Sequence, residues 1–143
     1  MKVGVLGAGS MGSGIAQVAA QSGHEVVLFD TKTEALDNSK NKLAKIMARL
    51  VEKGRVSDTD SAAIQDRISY ANDMNSFADC GIVIEAIIED LEIKKFVFKS
   101  LEEICSDKAI LATNTSSLSV AAIAASCQKA DRVIGIHFFN PAP

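Results

Sequence analysis

Six residues near the start of the chain, Gly7-Ala8-Gly9-Ser10-Met11-Gly12, restrict its fold more than anything after them. They follow a short apolar run at 2–6 and precede small and apolar residues at helical spacing over 11–21, so the local reading is strand, tight turn, helix. Glycine at 7 permits the turn. Glycine at 9 lets backbone approach a ligand closely, and glycine at 12 lets the helix pack against the strand. The N-terminus of a helix presents unpaired N–H groups and a positive dipole end, which together favour a phosphate. The same glycines exclude a secretory leader. Lys2 and the apolar run imitate one, but Gly4, Gly7, Gly9, Gly12 and Gly14 would break the helix of its hydrophobic region.

The alternation continues. Gly23 closes the first helix, and 25–29 is a second apolar strand ending at Asp30. Leu36, Leu43, Ile46, Met47 and Leu50 recur at helical intervals over 33–53, followed by Gly54. Ser57 or Asp58 caps a short helix to about residue 65, and 68–71 is a third strand. The nearly continuous apolar run 81–88 has the pattern of a strand buried on both faces of a parallel sheet. A helix over 90–105, with Leu91, Phe96 or Val97, Leu101 and Ile104 inward, a strand at 109–112, a helix over 119–126 and a strand at 132–136 complete the reading. Strands alternating with helices under right-handed crossovers predict an α/β chain, doubly wound around a mainly parallel sheet with helices on both faces, the Rossmann arrangement.

In that setting the glycine pattern becomes a dinucleotide site, to which Gly7, Ala8, Gly9, Ser10, Met11 and Gly12 contribute. Asp30 stands eighteen residues beyond Gly12 at the end of the second strand, where a carboxylate accepts hydrogen bonds from both ribose hydroxyls and repels a 2′-phosphate. NAD is therefore expected over NADP. The plainer alternative is a tight glycine turn followed by an aspartate that caps the next segment.

Charge and cysteines narrow the partners. Fifteen basic against eighteen acidic residues give a formal charge of −3, so no basic field would attract nucleic acid. Cys80, Cys105 and Cys127 are odd in number and far apart, which suggests reduced thiols in the cytoplasm, and no metal site is expected. Outside that glycine-broken N-terminal segment, no other stretch approaches the roughly 18 consecutive, predominantly apolar residues that cross a membrane. Asn114-Thr115-Ser116 fits the glycosylation pattern, which a cytoplasmic chain never has read.

Beyond these patterns the sequence resembles the 3-hydroxyacyl-CoA dehydrogenase family over its whole length, from GAGSMGSGIAQ through VIEAIIEDLEIKK and NTSSL to GIHFFNPAP. The resemblance implies NAD-dependent oxidation of a (3S)-3-hydroxyacyl-CoA, or the reverse, with 3-hydroxybutyryl-CoA and acetoacetyl-CoA as the favoured pair. It further implies that His137 is the general base, that Ser116 holds the substrate oxygen, and that Asn140 lies beside the histidine and the nicotinamide. Ser116 and Asn140 would thus serve substrate and cofactor alike. Read alone, His137 is a strand-end histidine, Ser116 a helix cap and Asn140 part of an Asn-Pro turn.

Glu89 and Lys94 match family positions near the nicotinamide and its ribose; by themselves they are first-turn charges on a helix. The basic helix face of Lys42, Lys45, Arg49 and Lys53 resembles the region that meets the CoA phosphates, with Lys53 the single choice, although such faces are usually just solvated. The family orients its histidine with a glutamate that would lie beyond Pro143, and continues into a helical domain that closes the cleft and forms a homo-oligomer. Residues 1–143 are therefore expected to be the cofactor domain, binding NAD but turning over poorly alone. A non-catalytic NAD-binding or structural module is the main alternative. A related β-hydroxyacid or sugar-acid dehydrogenase is another, though HFFNPAP is not expected there.

Overall fold

A computed structural model describes residues 1–115 and 119–136. Six strands form one wholly parallel sheet: β1 (Lys2–Leu6), β2 (Glu25–Phe29), β3 (Ile68–Ala71), β4 (Ile82–Glu85), β5 (Ile110–Thr113) and β6 (Val133–Gly135). Their order across the sheet is β3-β2-β1-β4-β5-β6, so the chain winds outward from β1 to one edge, returns to the centre, and winds to the other. Among the described residues five α-helices lie in the crossovers, α1 (Ser10–Gln21), α2 (Thr33–Glu52), α3 (Asp58–Asp66), α4 (Leu91–Ile104) and α5 (Val120–Ala124), while β3 returns to β4 without an α-helix. The expected doubly wound architecture is what forms.

Strand alternation distributes the core to the two faces. Val3, Val5, Val26 and Leu28 join Ile15, Leu36, Leu43, Met47 and Ile64 beneath α1, α2 and α3. Leu6, Val27, Phe29 and Val83 join Phe98, Leu101 and Ile123 of α4 and α5, together with Phe77 from a short 3₁₀ turn at Met74–Phe77. Phe77 is fully buried and fits because position 4 lacks a Cβ, which would come within 2.6 Å of its ring. Each such aromatic contributes about 1.5–3 kcal/mol by leaving water.

Two departures from the sequence reading bear on the site. The run 81–88 is strand only over Ile82–Glu85, because the Glu85 carboxylate turns back to accept the Ile87 N–H at 2.7 Å and residues 86–90 leave the sheet as a loop. On α4, Leu101 is buried and Leu91, Val97 and Ile104 pack against the core as expected, but Lys94 and Phe98 are buried with them and Phe96 is 72% exposed. Asp90 sets that phase by capping the helix through the Ile93 N–H at 3.1 Å. Elsewhere the predicted elements shorten by a few residues at their ends, and Ser57, not Asp58, caps α3 by accepting from the Asp60 N–H.

Candidate functional site at the carboxyl edge of the sheet

Between β1 and β4 the winding reverses, and in open parallel sheets the crevice outside the strand ends at such a point receives ligands. Leu6 is in register with Phe29 on one side and Glu85 on the other, so the glycine turn, Asp30 and the loop after β4 share one edge. Gly7 adopts φ +113°, which side chains disfavour, and its N–H donates to the Phe29 carbonyl at 2.8 Å. A Cβ at Gly7 would lie 2.6 Å from the Ala86 carbonyl oxygen, and one at Gly12 would overlap the Gly7 carbonyl. Gly9 differs: its φ of −74° is ordinary, and nothing lies within 4 Å of where a Cβ would stand. Its bareness is therefore not required by packing within the chain and leaves room for a ligand to approach.

The helix end beside it tells the same story. Ser57, Asp90 and Ser119 cap α3, α4 and α5 through their side chains, whereas α1 and α2 begin without a side-chain cap; of these two, α1 starts at the glycine turn itself and leaves first-turn N–H groups there for an anion. Asp30 Oδ2 accepts the Ala8 N–H and Oδ1 the Lys32 N–H, each at 2.9 Å. These bonds occupy two of about four acceptor directions on the carboxylate, so ribose hydroxyls still find acceptors there. Ser10 is exposed, Met11 half-buried and Ala8 buried, placing the backbone of the turn, not its side chains, against a ligand. Glycine turn, bare helix end and fixed carboxylate fit the phosphates and adenosine ribose of a dinucleotide. A cavity of about 60 Å³ beside Ser13, Gln17, Ser39 and Lys42 is far too small for one, which leaves the open crevice as the candidate.

Across the reversal lies a polar network in which sequence reading had named two members, Glu89 and Lys94, and missed three, Glu85, Thr113 and Thr115. Lys94 is wholly buried, its Nζ donating to both Glu85 oxygens at 2.9 Å and lying 3.1 Å from Glu89 Oε1. Glu85, also wholly buried, accepts in addition from the Thr113 hydroxyl at 2.6 Å. Glu89 has a side chain 38% exposed, and its Oε2 accepts from the Thr115 hydroxyl at 2.7 Å. Lys94 is thus a brace behind the crevice wall, and Glu89 its outermost carboxylate. The missed signal was a lone glutamate inside an apolar strand with a lysine one helical turn into α4.

Lys53 is the exposed C-cap of α2, whose 20 residues run about 30 Å, and Lys42, Lys45 and Arg49 are exposed with it. Ser116, which is also the serine of the glycosylation pattern, His137 and Asn140 lie outside the described residues. Among the described residues no group of three or more His, Cys, Asp or Glu is arranged to hold a metal, and no helix is long and apolar enough to cross a membrane. Cys80, Cys105 and Cys127 are free and buried.

Comparison with known proteins agrees with this geometry. Residues 2–143 match the family described as 3-hydroxyacyl-CoA dehydrogenase, NAD binding domain. All 143 residues align at 47% identity with a probable 3-hydroxybutyryl-CoA dehydrogenase of Deinococcus radiodurans, and at 46% with a 3-hydroxybutyryl-CoA dehydrogenase of Clostridioides difficile; 51% of each relative is covered. The crystal structure of 3-hydroxybutyryl-CoA dehydrogenase from Escherichia coli K12 superposes over the whole chain with a TM-score of 0.98 at 41% identity, using 30% of that protein. The chain spans about half the length of these two curated relatives.

Proposed function

Because this chain belongs to the NAD-binding domain family of the 3-hydroxyacyl-CoA dehydrogenases, with NAD as its cofactor, we propose that it is the cofactor half of an enzyme that interconverts (3S)-3-hydroxyacyl-CoA and 3-oxoacyl-CoA. The favoured substrate pair is 3-hydroxybutyryl-CoA and acetoacetyl-CoA. What carries the reading is placement: NTSSL begins one residue after β5, and HFFNPAP begins two residues after β6, both following the carboxyl edge that holds Asp30 and the glycine turn. The blocks that mark this chemistry in sequence therefore follow strands that end at the cofactor crevice.

In this reading Gly7, Ala8, Gly9, Ser10, Met11 and Gly12 cradle the pyrophosphate and Asp30 holds the adenosine ribose, with Glu89 and Asn140 toward the nicotinamide side. NAD bound there supplies the hydride acceptor. His137 takes the proton of the substrate 3-hydroxyl, and Ser116 and Asn140 donate hydrogen bonds to the oxygen as its charge changes. Lys53, exposed at the end of α2, meets the CoA phosphates. Residues 1–143 form the cofactor domain, and the relatives' additional length corresponds to a helical domain that closes the cleft and joins subunits. Three free thiols support a cytoplasmic home, and the net charge of −3 speaks against nucleic acid as a partner.

The test is a chimera in which this chain replaces the matching half of the Clostridioides difficile relative. Acetoacetyl-CoA-dependent consumption of NADH is expected, falling at least about a hundredfold in His137→Gln. A chimera that binds NADH yet consumes none with acetoacetyl-CoA would defeat the proposal.

A further inference from the structure

Glu85 is the residue around which the far side of the crevice is organised, though it does not itself reach the crevice surface. It is fully buried at the last position of β4, and each side-chain hydrogen bond it makes among the described residues is to an element that shapes this edge. The Ile87 N–H bends the outgoing loop, the Thr113 hydroxyl ties in the end of β5, and Lys94 ties in the first turn of α4. Lys94 then extends the chain of contacts outward to Glu89, whose other oxygen accepts from Thr115 beyond β5. A buried ion pair is a poor device for stability, since apolar residues of similar size usually serve as well. It is a good device for holding a third group, because an ammonium with two partners on one carboxylate has one direction left, and here that direction fixes Glu89.

We propose that Glu85 is a positioning residue for the nicotinamide half of the cofactor, acting through Lys94 on Glu89; the proposal rests on the NAD assignment above. Asp30 takes the adenosine ribose at the end of β2, so a dinucleotide crossing the reversal point carries its second nucleotide over β4 and β5, where Glu89 and Thr115 stand. The adenosine half is anchored by backbone and Asp30 and owes nothing to Glu85. The network therefore acts on one half of the ligand only.

That asymmetry gives the test. Fluorescence titration with NADH, and calorimetric titration with ADP as a probe that lacks the nicotinamide nucleoside, are compared for the unaltered chain, Glu85→Gln, Glu89→Gln, and the paired replacement Glu85→Met with Lys94→Met. The paired replacement removes both charges, so it remains folded even if Glu85→Gln, which strands a buried lysine, does not. ADP affinity is expected to stay within about twofold throughout, while NADH affinity falls roughly tenfold in the paired variant. Adding Glu89→Gln to the paired variant should cost little more, since both act through one carboxylate. Unchanged NADH affinity, a parallel loss of ADP and NADH, or an additive Glu89→Gln effect would each overturn the proposal. If the unaltered chain binds neither probe, the NAD assignment falls with it.

Discussion

Replacing Gly9 and Gly12 by alanine, one at a time, should separate folding from binding within a single turn. At position 9 the backbone angles suit any residue, and the new methyl meets nothing within 4 Å. Two small effects oppose each other: alanine reduces the entropy of the unfolded chain by about 0.4–1 kcal/mol, and it is a poorer N-cap than glycine by roughly the same amount. Stability should change by less than about 0.5 kcal/mol, a shift of under about 2 °C in Tm for a chain of this size. The methyl would nonetheless stand where the pyrophosphate approaches, and NADH affinity should fall at least about tenfold. At position 12 the methyl would overlap the Gly7 carbonyl and come within 2.8 Å of its carbon, so α1 must move off the turn. Backbone overpacking of that kind costs about 3 kcal/mol, lowering Tm by roughly 6–12 °C. Thermal melts followed by circular dichroism, with NADH titrations on each variant, decide the matter. Gly9→Ala binding NADH as tightly as the unaltered chain would refute the reasoning, and so would Gly12→Ala melting unchanged.

Asp30→Ala should weaken NADH at least about tenfold and erase the preference over NADPH, while loss of the acceptor for the Ala8 and Lys32 N–H groups costs about 1–2 kcal/mol in urea unfolding. On α4, Phe98→Ala should cost about 3–5 kcal/mol and Phe96→Ala under about 0.5, since the first ring is fully buried and the second 72% exposed; equal losses would overturn the helix phase. Burial pushes the Cys80 thiol from its ordinary 9.0 up to about 11, and those of Cys105 and Cys127 upward as well. The folded state thus keeps protons that the unfolded chain releases, so this stability is fully present below about pH 9 and lost as pH climbs toward 11. Urea unfolding at about pH 8 and about pH 10.5 should show a loss on the order of 2 kcal/mol for the unaltered chain, smaller in Cys80→Val.

The first half of the crevice was legible because its parts are consecutive in sequence. Strand, glycine turn and helix specify one another over twenty residues, and Asp30 follows at the end of the next strand, so local pattern and spacing bring the glycine turn and Asp30 to one edge without knowledge of the rest. The second half depends on contacts that periodicity does not carry. Glu85 sat inside an apolar run and was absorbed into a longer strand. Lys94 was placed near the nicotinamide by family resemblance, and pattern alone offered only a first-turn charge, whereas α4 turns it inward with Phe98. A fully buried lysine is legible only once its two carboxylates are known to converge, and those come from the end of β4 and the loop beyond it. The roles of Ser116, His137 and Asn140 came from family resemblance alone, and all three lie outside the described residues.

The central claim is that the bare start of α1 and the fixed Asp30 carboxylate make this edge an NAD site, and titration of the chain with NADH and NADPH in parallel tests it most directly. Saturable NADH binding, at least about tenfold tighter than NADPH and weakened in Asp30→Ala, is the predicted result. Absence of saturable NADH binding by the folded chain, or equal affinity for the two dinucleotides, would contradict it.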